Sequence, residues 1–444
     1  MQSLNAGSVA ILGVPIDNVT MQQALAAIES GIDEGGFHQI ATANVDFLVN
    51  SIHDPELKEI LSACYLVLPD GMPLVWASHL MRASLQERVS GADLVPRLVE
   101  MAALRDYSIF LLGSCEASSR GANRWISQHY PKVRVVGRYC PAYAELEEMD
   151  HEDILLQIEA ARPDILLVAL RSPKQEKWLA MHRHRLHVPV CIGVGGSLDL
   201  LSGRAPRAPL WMRDHGLEWL YRACREPARL GWRYARDASG LARYLTAQLA
   251  AIAAQHRRTE PNSLTLNSLP HNSFTEETIG AATVLHVAES LTGPEVGDFE
   301  REAKIAVGAG HHVVLDLAST TYLGADALGA LIHLGSAAKQ CDRELWLTGL
   351  RPFLSRLLQA TQLESSFRIA PKVADALRRM APAETRLCIE AGSDWAVCRI
   401  GGRLIPLDRE AAEGVCRQVL ELIDRQALEA TRAASELAMH GNTL

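Results

Sequence analysis

The chain has nine cysteines and not one Cys-x-x-Cys pair. Their scatter excludes the usual thiolate zinc site and points to a reduced, cytosolic protein. No run of apolar residues is long enough to cross a bilayer, and the start, MQSLNAGSVAILGVP, has no basic region and too short an apolar run for a signal peptide. Any membrane association is therefore expected to be peripheral. There is no G-x-G-x-x-G fingerprint and no G-x-x-x-x-G-K-[ST] loop, so two common glycine cradles for nucleotide phosphates are missing. A D-x-D pair is missing as well, and with it the usual carboxylate clamp for a metal on a nucleotide-sugar diphosphate. A net charge of −8 excludes a general nucleic-acid binder, so a basic site has to be local.

What is present is ordinary in bulk and specific in detail. With 444 residues, 48% hydrophobic and 22% charged, the chain suits two or three soluble domains. In the first half, short apolar runs alternate with amphipathic helices. Val9–Val14, Gln39–Ala43, Leu66–Leu68, Ile109–Leu112, Val133–Gly137, Ile165–Ala169 and Val188–Val194 read as strands, and Thr20 with Gln23 reads as a capping box. This order predicts an α/β fold with a mostly parallel, Rossmann-like sheet covered on both faces. Ligands of such sheets bind beyond the carboxyl ends of the strands.

Five clusters fall at or near those ends: Ala41–Asp46, Leu68–Gly71, Glu87–Asp93, Arg171–Trp178, and Gly193–Gly196 with Asp199 and 203–209. Gly195 and Gly196 let backbone approach a phosphate or sugar. Further on, GLEWLYRACREPARLGWRYAR (216–236) sets arginines 222, 225, 229, 233 and 236 at steps of three and four, interleaved with tryptophan and tyrosine. Pro227 predicts two short helices here. The segment suits an anionic partner, a diphosphate above all, at a membrane surface. Its cations can neutralise a leaving group where no metal clamp exists.

These clusters, in this order over residues 8–236, resemble the WecG/TagA/CpsF family of inverting bacterial glycosyltransferases, glycosyltransferase family 26. The resemblance implies metal-independent, cofactor-free transfer of a hexose-type sugar, often N-acetylmannosamine or its uronic acid, from a UDP donor. The acceptor it implies is a polyprenyl-diphosphate-linked saccharide at the inner face of the cytoplasmic membrane. By motif, Asp70 matches the general base. Thr42, Asn44 and Gln175 match polar residues at the substrate, and Arg88 matches an arginine near the diphosphate. Arg222, Arg229 and Arg233 match a C-terminal appendage that closes over the site and touches the membrane. Three positions depart from the family: Ala169 and Arg171 stand where glycine is usual, and Trp232 stands where arginine is usual.

In the second half, Val313–Leu317, then TYLGADALGAL (321–331), a strand at Glu344–Leu347 and a helix at Pro352–Ala360 resemble a STAS domain, the fold of anti-sigma-factor antagonists. That family commonly has a phosphorylatable serine where this chain has Asp326. The resemblance implies a permanently charged switch position, or a plain docking domain for a protein partner; an ordinary helix-capping aspartate is the simpler reading. The expected division is a transferase domain over 1–258 with its appendage at 214–258, a linker at 259–275, a smaller α/β STAS-like domain at 276–381, and an extension at 382–444. The extension is expected to hold a strand pair around Gly401-Gly402 and a helix near Glu410–Ile423. The rival expectation is a scaffold protein with a catalytically weak first half.

Overall fold

Leu12 and Gly13 divide the first expected strand in two. Both have positive φ, 52° and 78°, as the two-residue turn of a tight hairpin requires. β1 (Ser8–Ile11) and β2 (Val14–Asp17) therefore pair antiparallel, Ile11 opposite Val14, apart from the main sheet. In this computed structural model the described residues are 7–214, 216–227, 231–256, 274–279, 281–380 and the strands 388–391, 396–400 and 403–407.

The main sheet comprises β3 (His38–Ala43), β4 (Leu66–Pro69), β5 (Ser108–Gly113), β6 (Arg134–Tyr139), β7 (Ile165–Ala169) and β8 (Val190–Gly193), all parallel, in the order β4-β3-β8-β7-β5-β6. Successive side chains alternate faces, so each apolar run feeds two cores. Ile40, Leu68, Leu111, Leu167 and Ile192 enter one core, against α1 (Met21–Glu34), α5 (Gly91–Arg105) and α6 (Glu116–His129). On the other face, α7 (His151–Ala161) and α8 (Lys174–Met181) cover Phe110, Leu112 and Val168. There the hairpin, with α2 (Val45–His53) and α3 (Pro55–Ala63), packs on Ala41, Ala43 and Val67. The capping box forms as expected: Thr20 Oγ1 accepts from Gln23 N, and Gln23 Oε1 from Thr20 N.

Three further helices carry the appendage side of this half: α9 (Ser197–Leu201), α10 (Leu210–Asp214) and α11 (Glu218–Arg225), with α4 (Met72–Leu80) following β4. The second appendage helix is not short. α12 runs 25 residues, Trp232–His256, and Pro227 lies between it and α11.

A five-stranded sheet follows, ordered β15-β14-β12-β10-β9, with β9 (Phe274–Ile279) antiparallel on the edge beside β10 (Ala282–Val287). β12 (His312–Asp316), β14 (Leu345–Thr348) and β15 (Arg368–Ala370) are parallel to β10, and β11 (Ser290–Leu291) pairs with β13 (Tyr322–Leu323) apart. Its helices are α13 (Glu295–Gly308), α14 (Ala325–Gln340) and α15 (Pro352–Ala360). The expected linker lies almost wholly outside the described residues.

Residues 1–373 form one compact unit that includes both α/β sheets. A single apolar cluster runs from Ile11, Leu245 and Ile252 in the first half to Leu328, Leu331 and Leu357 in the second. Residues 374–444 form a second unit, in which Cys388–Ala391, Ala396–Ile400 and Arg403–Leu407 make an antiparallel three-stranded sheet. The last two of these strands flank Gly401-Gly402 as expected; the helix expected near 410–423 lies outside the described residues.

Candidate active site

Parallel pairing places the carboxyl ends of β3, β4, β7 and β8 side by side, and six of the expected site residues follow from that alone. Asp70 comes one residue past β4, its N–H donating to the Ala43 carbonyl at 2.8 Å. Asn44 caps α2, its Oδ1 accepting from Phe47 N at 3.3 Å. Thr42 is buried, its hydroxyl donating to the Gly193 carbonyl at 2.9 Å, so it ties β3 to β8 just below the edge. Gln175, at the start of α8, accepts from Gly195 N at 3.1 Å and donates to Glu176 Oε1 at 2.7 Å.

Gly193, Gly195 and Gly196 serve different ends. A Cβ on Gly193 would lie 2.6 Å from the Gln175 amide nitrogen, so glycine there admits the glutamine. Gly195 has a φ of 50°, and a Cβ on it or on Gly196 would meet open space. The space above this peptide is therefore open. Glu176, buried beneath, has its carboxyl pushed up to about 7 by burial, against the Gln175 amide. Gln175→Leu removes the acceptor for Gly195 N and the donor to Glu176. It is expected to cost about 1–3 kcal/mol of stability, read by urea unfolding.

Above Asp70 lies a charge cluster only partly foreseen. Asp93 accepts from Arg88 (Nη2–Oδ2 2.7 Å), from Arg207 and Arg213 (each Nη2–Oδ1 2.8 Å) and from the Ser90 hydroxyl at 2.7 Å. Glu218 accepts from Arg222 at 2.9 Å and lies 3.8 Å from Arg88 and 3.7 Å from Arg207. Burial works to raise the Asp93 carboxyl, but Ser90 and the arginines hold it down at about 2. Asp70 behaves oppositely: burial pushes it up to about 6, Arg222 and Arg88 pull it down, and Glu218 and Asp93 push it up again. Four guanidiniums thus face three carboxylates. The Nε groups of Arg207 and Arg213 are buried without a hydrogen-bond partner.

Arg88 and Arg222 therefore join Asp70, whereas Arg233 is exposed and lies over the Tyr234 ring, 5.2 Å from its centroid. Arg229 lies outside the described residues. Arg236, from the same stretch, reaches Asp46 Oδ1 at 2.7 Å on the first turn of α2. Arg171 is exposed at positive φ (66°), and Trp232 is 80% exposed. Leu210, Trp211, Trp219 and Leu220 share that exposure along α10 and α11.

Asp326 opens α14, and its carboxylate accepts from Gly293 N at 2.6 Å, Thr292 Oγ1 at 3.2 Å and Ala327 N at 2.9 Å. It fastens the loop before α13 to the first turn of α14. The N-cap position itself is Gly324, with no side-chain cap, so the helix-capping reading is not met and the charge sits within the first turn instead.

Residues 9–255, more than half of the chain, match the glycosyl transferase WecG/TagA/CpsF family. The protein belongs to that family. It is a glycosyltransferase whose second half, residues 274–376, matches the STAS domain. Among its relatives, the N-acetylglucosaminyldiphosphoundecaprenol N-acetyl-beta-D-mannosaminyltransferase of Staphylococcus aureus (strain MRSA252) is 33% identical over 51% of this chain and 88% of its own. The enzyme of the same name from Bacillus subtilis (strain 168) is 36% identical over 44% of this chain and 73% of its own. An anti-sigma factor antagonist from Mycobacterium paratuberculosis is similar over 26% of this chain and 100% of its own, at 21% identity and a TM-score of 0.24. Among the described residues no helix is long and apolar enough to cross a membrane.

Proposed function

We propose that this transferase moves an N-acetylmannosamine-type sugar from a UDP donor to a polyprenyl-diphosphate-linked N-acetylglucosamine. The anomeric centre is inverted and no metal takes part. The observation that carries the reading is Asp70, a carboxylate raised to about 6 at the sheet edge within the field of Arg88 and Arg222. Near neutral pH it is ionised yet basic enough to take a proton. Asp70 takes the acceptor hydroxyl proton as that oxygen bonds to the anomeric carbon. The bond from that carbon to the UDP oxygen breaks, and UDP leaves with the electron pair. The arginines over Asp93 and Glu218 supply the positive charge that the leaving diphosphate needs. The relatives' names support the acceptor, and the open face of Gly195 and Gly196 supports a donor seat on β8.

The exposed tryptophans and leucines of α10–α12, with the arginines among them, support peripheral contact with the inner membrane face. The STAS domain acts as a docking module rather than a switch: the Asp326 carboxylate is taken up by Thr292 and Gly293 of its own domain.

The test is UDP release from UDP-N-acetylmannosamine with a short-chain polyprenyl-diphosphate N-acetylglucosamine, with and without EDTA. Acceptor-dependent release that survives EDTA is expected. Release that needs added metal would overturn the metal-free reading, and release that ignores the acceptor would overturn the transfer.

A further inference from the structure

The face of the STAS domain formed by α14 and the end of α15 is covered by the other half of the same chain. α14 lies against β1 so closely that a Cβ on Gly329 would sit 2.6 Å from the Ser8 carbonyl oxygen. The hairpin turn is tucked under the carboxyl end of α15. Gly13 there leaves no room for a side chain, its Cβ position being 2.2 Å from the Thr361 carbonyl oxygen. Lys58, buried on α3, donates to that same carbonyl at 2.8 Å and to the Gln362 carbonyl at 2.9 Å. These are the last carbonyls after α15, which have no partner within the helix.

α12 joins these contacts to the active site. Its far end is held by the STAS domain, where Gln255, fully buried, accepts from Leu323 N at 2.9 Å. Its middle is held by the hairpin, with Gln248 accepting from Leu12 N at 3.0 Å and donating to the Ala10 carbonyl at 2.8 Å. Its near end carries Trp232 and Arg233 and reaches α2 through Arg236 and Asp46, two residues past Asn44. Gly240 lets α12 approach Val49 of α2 within the reach of a Cβ. A helix gripped along its length by buried amides moves as one body, so its near end can be no better placed than its far end.

We propose that the STAS domain is an intramolecular clamp whose partner is the chain's own α12 and β1–β2 hairpin. It holds the near end of α12 where the acceptor is received. Gln255, Gln248 and Lys58 are its positioning residues. The inference rests on the transferase reading, and it assigns the domain a role in catalysis that needs neither phosphorylation nor a second protein.

The test uses the full chain with Gln255→Leu and Lys58→Met combined, and Lys58→Arg as the conservative control. Amide exchange along 232–256 and transfer to the short-chain acceptor are measured on the same samples. Expected are faster exchange across α12, an acceptor kcat/KM lower by about tenfold, little change in UDP binding, and near wild-type behaviour in the control. Faster exchange with unchanged transfer would overturn the clamp, and so would unchanged exchange. If the combined variant does not fold, Gly329→Ala wedges α14 from β1 and is read the same way. Failure of the transferase reading shows separately, as a wild-type protein that does not transfer at all.

Discussion

Asp70→Asn is expected to lower kcat/KM for sugar transfer by about 10²–10⁴-fold and to leave the protein at least as stable as the wild type at pH 8. The two effects share a cause. Burial raises the folded-state pKa of Asp70 from the ordinary 3.8 to about 6. Below pH 3.8 both folded and unfolded chains carry the proton. Between 3.8 and 6 the folded chain binds more protons than the unfolded one, so stability falls as pH rises. Above 6 the full cost of keeping the carboxylate ionised is present. Asparagine removes it, a gain on the order of 1 kcal/mol given the residue's partial exposure. Catalysis runs the other way, because only the ionised form accepts a proton. Wild-type kcat/KM should therefore fall off below about pH 6, and the variant's residual rate should lack that limb. A pH–rate profile and urea unfolding at pH 5 and 8 check both. A variant with the wild-type rate would place the base elsewhere.

Residues at strand ends were legible because a parallel sheet turns sequence position into place. Thr42, Asn44, Asp70, Gln175, Gly195 and Gly196 each follow an apolar run, and parallel pairing brings those run ends to one edge. What cannot be read this way is a partnership made by folding. Arg207 and Arg213 stand 114 and 120 residues from Asp93 and read locally as loop and short helix. The arginine stretch shows the same limit: α11 and α12 are separate helices, as Pro227 implies, and the arginines find partners that spacing alone does not name, Arg222 taking Glu218 and Arg236 taking Asp46. The hairpin hid because its first turn residue is Leu12, and leucine at positive φ is uncommon. In the second half the sequence of α14 carries the signal for its packing. α14 (ADALGALIHLGSAAKQ) is buried on nearly every side. A helix of a small domain that is apolar all round has a second surface to cover, and here the cover is β1.

Replacing Arg207 and Arg213 together by alanine is the second change with a large expected effect. On the proposed reading, each substitution removes one charge-assisted hydrogen bond from the leaving diphosphate, about 1.5–3 kcal/mol, or roughly 10–100-fold in kcat/KM per residue. Because both lean on the same Asp93 oxygen, the double variant should fall short of the product of the two singles. UDP, which presents the same diphosphate, should inhibit the double variant more weakly. Lysine at either position keeps the charge but not the fork, and should restore only part of the loss. The pH profile separates this role from that of the other two arginines. Arg222 and Arg88 are the cations that pull Asp70 down, whereas Arg207 and Arg213 are not among the leading influences on it. Loss of Arg207 and Arg213 should therefore lower the plateau and leave the acid limb near pH 6. Arg222→Ala should also move that limb upward, because the carboxylate loses its strongest opposing charge. A limb that shifts equally in all of these variants would mean the four arginines act as one field, with no separate seat for the diphosphate.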